Sequence, residues 1–248
     1  MAFTLIELLV VISIIALLIG ILLPALHAAR ITTQRLRSSH QARQVGLAMA
    51  MFAEHNNGYY PGLDSRNRLR PAGEIEGSAT SGGTPGARYV IMLTRNYFPG
   101  ETIISPLETK TPWRTTGTDI STAHFSYAML ALDLDADGQR DNVRRVAEWR
   151  NTINTQAMLL SDRNTGEDAE MRISSIHTEP NSGDWRGTVL FGDGRAEFVT
   201  RHPVLTRYGN AAMVGADNFF AEDDDDSGQS GNDAVMVYQD ERTLIGQQ

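Results

Sequence analysis

Between Leu8 and Leu23 the chain carries no charge, and Ser13 is the only polar side chain. The wider run "FTLIELLVVISIIALLIGILLPAL", Phe3 to Leu26, meets the length of about 20 apolar residues needed to cross a bilayer as a helix. That requirement is met only if Glu7 lies close to an interface, because a carboxylate at the centre of a bilayer helix costs about 2.5–3.5 kcal/mol. No lysine or arginine stands near Glu7 to pair with it. A cleaved secretory signal is a poorer reading: the run exceeds a usual apolar core, and no small-residue cleavage site follows it. The segment is expected to stay as an anchor.

Beyond the run, "ALHAARITTQRLRSSHQARQVGLAMAMFAEHNNGYYPG" is rich in Ala, Leu, Arg and Gln, all good helix formers. Ile31, Leu36, Val45, Leu47, Met51 and Phe52 recur at an imperfect helical period. Pro24 would kink this helix without ending it, and the Asn-Gly and Pro-Gly signals at 56–62 would stop it. A helix from Phe3 to His55 is about 80 Å long at 1.5 Å per residue. That length exceeds any membrane requirement, so its outer half must pack on something else.

Residues 61–87 are rich in Gly, Pro and Ser and read as a loop, and 88–98, "RYVIMLTRNYF", reads as a short helix or a strand. A strand within "HFSYAMLALDLDADGQRDN" runs into an Asp-rich turn. "TQAMLLSD" and "GTVLFGDGRAEFVT" supply further strands, the latter pair split by a Gly-Asp-Gly hairpin signal. An acidic loop precedes a last strand in "VMVYQ", and no internal repeat is present. The expected fold class is α+β: a long N-terminal helix, membrane-spanning in its first half, packed on a small antiparallel sheet. Four stretches are expected: a residual leader at 1–2, a span at 3–26, an amphipathic continuation at 27–56 and an α+β head at 57–248.

Charge divides along the same lines. Through His55, Arg30, Arg35, Arg37 and Arg43 face only Glu7 and Glu54, so the rest of the chain supplies more than the whole net charge of −8. An acidic head excludes nucleic acid as a partner, since phosphate binding needs clustered Lys and Arg. The absence of cysteine removes disulfides, thiolate metal sites and thiol catalysis.

Phe3, Thr4, Leu5, Glu7, the apolar run and Pro24 together resemble the N-terminal signature of type IV pilins and type II secretion pseudopilins. The resemblance covers about the first quarter of the chain. It implies that a prepilin peptidase cuts between Ala2 and Phe3 and methylates the amino group of Phe3. It also implies that Glu7 meets the Phe3 amine of a neighbouring subunit during assembly, which would fix axial register. A Glu7 sitting at the headgroup level is the alternative. The implied setting is an inner-membrane, single-pass chain with a periplasmic head. Its implied partners are the peptidase, other copies or related pseudopilins in a filament, and an inner-membrane assembly platform. Ala2 stands where the family has Gly, and no basic leader precedes it, so we expect the true start upstream or an internal-methionine start.

In the head, "NNGYYPG", "HFSYAML", "LLSDRNTG" and "GTVLFGDGRAEFV" resemble pseudopilin-like proteins with a C-terminal His…Asp-Gly motif, a group abundant in planctomycete-type bacteria. His177 and Asp193-Gly194 are the matching residues, over an interval longer than the family's. A type I′ hairpin turn is the preferred reading of Asp193-Gly194.

Asp133, Asp135, Asp137 and Gly138 stand in D-x-D-x-D-G order, with Asp141 following. Hard cations such as Ca²⁺ take oxygens at alternating loop positions. An EF-hand is excluded because Arg144 occupies the twelfth position, leaving a simpler Asp-loop calcium site or a solvated turn. The run Glu222 to Asp226 is a second acidic stretch, best read as a solvated loop. For catalysis there is no Gly-x-Ser-x-Gly, His-Glu-x-x-His or P-loop. His27 and His40 fall on the long helix, while His124, His177 and His202 could converge with Asp162 or Asp193. The expectation is a non-enzymatic, pseudopilin-like filament subunit. A surface pilus subunit, a tethered calcium- or glycan-binding module and an anchored enzyme are the alternatives.

Overall fold

The computed structural model describes residues 4–114, 119–132, 143–168, 171–202, 204–208, 214–218, 220 and 235–238. One helix dominates, α1 (Leu5–Glu54), unbroken through Pro24. Its C-terminal end is set by the turn signals: His55 leaves helical geometry, and Asn57 and Gly58 take positive φ values of 57° and 84°.

A second helix, α2 (Pro85–Thr94), settles the helix-or-strand ambiguity of the segment that follows. Thr84 accepts the Ala87 N–H, and Pro85 fills the first helical position, where a missing N–H costs nothing. A 3₁₀ turn at Gly100–Ile103 comes next. The remaining elements are β1 (Tyr127–Leu130), α3 (Val143–Glu148), β2 (Met158–Asp162), β3 (Gly187–Phe191), β4 (Ala196–Val199), β5 (Val204–Thr206), β6 (Val214–Asp217) and β7 (Met236–Val237).

The main sheet has five strands in the order β4-β3-β2-β1-β7, with every neighbouring pair antiparallel. β5 and β6 form a separate two-stranded ribbon. Register places Tyr127 opposite Asp162, Leu160 opposite Leu190, and Thr188 opposite Phe198. By strand alternation these side chains share one face, and α1 lies across it over β3 and β4. The approach is close: a Cβ on Gly46 would sit 3.0 Å from the Leu190 methyls. The architecture is therefore α+β, a long N-terminal helix packed on a small antiparallel sheet.

The imperfect period on the outer half of α1 resolves into two faces. Ser38, Gln41, Ala42, Val45, Ala48, Met49, Phe52 and Ala53 are buried at helical spacing. Leu36, Leu47 and Met51, which the sequence grouped with them, point outward at 68%, 60% and 57% exposure. Small and polar residues share the contact face with Val45, Met49 and Phe52, because α1 must come close to the sheet.

The β3–β4 hairpin forms as expected, but its turn is not type I′. That type needs positive φ at both central residues, whereas only Gly194, at 80°, has it. Gly194 N–H donates to the Phe191 carbonyl at 2.9 Å, and Phe191 N–H donates to that of Arg195 at 2.9 Å. The turn thus spans Phe191 to Gly194, with glycine as the added left-handed residue of a three-residue loop. Asp193 Oδ1 accepts the Arg195 N–H at 2.9 Å, tightening the loop from within.

Candidate functional site

Every residue of α1 from Leu5 to Arg30 is exposed; the head first partly covers Ile31 and first buries Ser38. The stretch Leu5–Leu26 is about 33 Å long, matching a hydrocarbon core of about 30 Å. Sixteen large apolar side chains on it are uncovered, from Leu5 at 80% to Leu26 at 66% exposure. At about 1.5–3 kcal/mol for each side chain left unburied, the deficit exceeds 20 kcal/mol. A whole domain is stable by only about 5–15 kcal/mol. This half of α1 is therefore a candidate membrane span. Its polar groups are satisfied internally: Ser13 Oγ donates to the Leu9 carbonyl at 2.8 Å.

Glu7 sits at the tip of this span. Thr4 is the N-cap, and the two form a reciprocal capping box. Glu7 N–H donates to Thr4 Oγ1 at 3.3 Å, while Glu7 Oε2 accepts the Thr4 N–H at 2.8 Å and the Thr4 hydroxyl at 2.7 Å. Two otherwise orphaned backbone donors are satisfied, and the carboxylate stands at the positive end of the helix dipole, where it is favoured. Part of the answer to an acid without a cation is therefore local, and it reads in the sequence as Thr-x-x-Glu. Ala2 and Phe3, the expected processing positions, lie outside the described residues. Pro24 lies inside the helix; its missing N–H would have bonded to the carbonyl four residues back, on Gly20.

Where α1 enters the head, a polar relay fastens it to the sheet. Ser38 Oγ lies 3.1 Å from the Tyr127 hydroxyl, which donates to Gln41 Oε1 at 3.1 Å. Gln41 Nε2 then donates to the carbonyls of Glu101 and Ile104, at 3.1 and 3.0 Å. Burial raises the Tyr127 phenol well above its ordinary pKa, and the Asp162 carboxylate opposite adds to the shift.

His177 comes to this same end of the sheet. Its Nε2 is 3.5 Å from Asp162 Oδ2, with the two side chains 5% and 1% exposed. Asp162 Oδ2 also accepts the Thr188 N–H at 2.6 Å. The His177 ring meets Phe198 edge-on at 4.8 Å, and the Arg35 guanidinium lies 4.5 Å over the Phe198 ring. Of the convergences considered from sequence, this is one that forms. Asp193-Gly194 lies at the far end of β3, beyond three strand steps and a turn from Thr188, more than 10 Å away by strand rise. There, Asp193 pairs with Arg195 and lines a cleft of about 290 Å³ with Arg43, Leu47, Tyr60 and Ile153. His177 and Asp193-Gly194 therefore sit at opposite ends of the sheet.

A second polar cluster had no signal in the sequence, because partners such as Lys110 and Tyr238 lie 128 residues apart. Arg163 grips Glu108 Oε1 through Nε and Nη2, at 3.0 and 2.6 Å. Lys110 Nζ donates to the Thr122 and Phe125 carbonyls at 2.8 and 2.6 Å and to the Tyr238 hydroxyl. Burial lowers the Lys110 pKa to about 8 against a partial pull upward from Glu108. The cluster ties β7 to the start of β1.

Asp133, Asp135, Asp137 and Asp141 lie outside the described residues, as does the run Glu222 to Asp226. Among the described residues no three His, Asp or Glu side chains gather as a cation site. Comparison with protein-family models, with curated proteins and with solved structures finds no match.

Proposed function

We propose that this chain is a pseudopilin-like structural subunit of a type II secretion or related type IV filament system. Prepilin peptidase processes it, and its N-terminal helix carries it into the filament. The observation that supports this reading most is the uncovered half of α1, a bilayer-length apolar helix whose one carboxylate, Glu7, is at its tip. In the membrane, lipid covers this half. In a filament, the corresponding halves of other copies cover it, since head-to-tail contacts that do not close generate helical assemblies. The head faces the periplasm and decorates the outside, and the chain is the substrate of a peptidase with no catalysis of its own.

Capping by Thr4 leaves Glu7 Oε1 without a hydrogen bond among the described residues. That oxygen is the acceptor for the Phe3 amine of a neighbouring copy, which is cationic below a pKa of about 8. Pairing two groups in a low-dielectric core removes most of the cost of an isolated charge and sets axial register, which apolar packing alone leaves loose.

Intact mass and N-terminal sequencing of the chain from native membranes test the reading. A chain beginning at N-methylated Phe3, with assembly abolished by Glu7→Ala, is the expected result. A chain retaining Met1 or cut well beyond Pro24 removes the partner assigned to Glu7. The chain would then be read as a tethered calcium- or glycan-binding module that does not polymerise.

A further inference from the structure

We infer that the outward face of α1's head-bound half, Leu36, Arg37, His40, Arg43, Leu47 and Met51, is a docking surface for the acidic head of a second copy of this chain. The inference rests on the filament reading above and names the contact that reading leaves open. All six residues are exposed; Leu36, His40, Arg43, Leu47 and Met51 recur every three or four residues on one stripe of the helix, and Arg37 flanks it. The stripe continues the uncovered apolar half of α1, so whatever covers one meets the other.

Charge selects the occupant. Between Glu7 and Glu54 the chain has no acid at all, and Arg37 and Arg43 make no ion pair among the described residues. Beyond His55 the balance reverses, with 18 basic against 28 acidic residues by difference from the whole-chain totals of 22 and 30. Glu74, Glu76, Glu101, Asp119 and Glu179 are exposed acids of the head. A basic, apolar stripe and a head of net charge −10 on the same chain are complementary between copies. Within one copy, Arg43 shares a cleft with Asp193, but Asp193 is paired with Arg195, which leaves the stripe's charge available to another head.

Shape gives a second reason. Arg43 and Leu47 form one rim of the cleft that Asp193 and Ile153 close on the other side. Ile153 is 69% exposed and holds φ at 60°, a costly conformation for a β-branched residue. The stripe therefore borders a concave, partly apolar seat with an exposed apolar residue at its lip. Covering Leu47 and Ile153 together removes two exposed apolar side chains from water.

Photo-crosslinking tests the docking surface. A benzoylphenylalanine is placed at Leu47 in the full-length chain in native membranes, and adducts are mapped by mass spectrometry. The expected product is a dimer joining position 47 to a residue within 57–238 of a second copy. Its yield should fall about fivefold in Arg37→Glu/Arg43→Glu, the effect of two exposed ion pairs, with the thermal transition of the head unchanged. Raising the salt concentration should lower it likewise. Adducts only to residues 5–35 of another helix, adducts only to other proteins, or no dimer from a processed and assembled chain each overturn the docking surface. An unprocessed chain that still gives the position-47 head adduct overturns the filament reading and leaves the surface standing.

Discussion

Removing a single oxygen tests how α1 is held to the head. Tyr127 is fully buried, and its hydroxyl is the centre of the relay from Ser38 to Gln41. Because that hydroxyl donates to Gln41 Oε1, Ser38 must be the donor toward Tyr127. Tyr127→Phe leaves the Ser38 hydroxyl and Gln41 Oε1 buried without partners, while both Gln41 Nε2 bonds persist. An orphaned buried polar group costs about 1–3 kcal/mol, so a loss of ~2 kcal/mol is expected for the two. For a head of this size that lowers Tm by about 4–8 °C. Ser38→Ala alone should cost about 1 kcal/mol, since Tyr127 keeps Gln41. Added to Tyr127→Phe it should cost nothing, because Ser38 is then already unpartnered; the coupling is ~1 kcal/mol. Trp113, Trp149 and Trp185 all lie in the head, so tryptophan fluorescence of the full chain in detergent reads this transition and not the span. Additive single-variant losses, or a Tyr127→Phe loss below about 0.5 kcal/mol, would refute the relay as the fastening.

The pH dependence of stability should rise on the alkaline side before it falls. With the Lys110 pKa near 8 in the fold and 10.5 ordinarily, the unfolded chain binds more protons between those values. Stability therefore increases through that window, by less than the ~3 kcal/mol of the full shift because solvent screens a half-buried amine. Denaturant midpoints at pH 7.5 and 9.5 should show the rise in the wild type and not in Lys110→Met. Above pH 10 the sign reverses: Tyr60 is held up to about 12 by burial and by Glu148, so the fold keeps a proton that the unfolded chain gives up. Gly166→Ala should destabilise the loop that carries His177 by about 1–3 kcal/mol, because its Cβ would fall 1.7 Å from the Arg172 carbonyl oxygen; amide exchange over 164–186 should accelerate. Alkaline carbonate should leave the full chain in the membrane pellet, and its release into the supernatant would exclude the span.

What the sequence made legible was whatever depends on neighbours along the chain. The unbroken helix, its stop at Asn57-Gly58, the hairpin around Asp193-Gly194 and the final strand all rest on local propensity and turn chemistry. The buried face of α1 was legible only in part: Val45 and Phe52 are buried as grouped, but Ser38, Gln41 and the alanines complete that face while Leu36, Leu47 and Met51 face out. Hydropathy alone does not separate the two faces when close approach lets small and polar residues into the contact. In α2 the residues Pro85 to Leu93 are all buried, which erases any period, and only the Thr84-Pro85 start separates helix from strand. His177 with Asp162, and Lys110 with Tyr238, are joined by topology alone.

The two proposals constrain each other through the energetics of the span. Lipid tails are as apolar as leucine, so moving Leu5–Leu26 from bilayer to a bundle of like helices gains little from the hydrophobic effect. The free energy that orders a filament must then come from terms absent in the dispersed, membrane-held chain. On the proposed reading there are two: the pairing of Glu7 Oε1 at the tip of α1, and the seating of an acidic head on the Arg37 and Arg43 stripe. They act roughly 45 Å or more apart along one rigid helix, the first within the core and the second at its surface. A variant lacking the first should form no filament, although pairwise contacts of heads with the stripe persist. A variant lacking the second should retain the pairing at Glu7 but assemble weakly, and more weakly still as salt is raised.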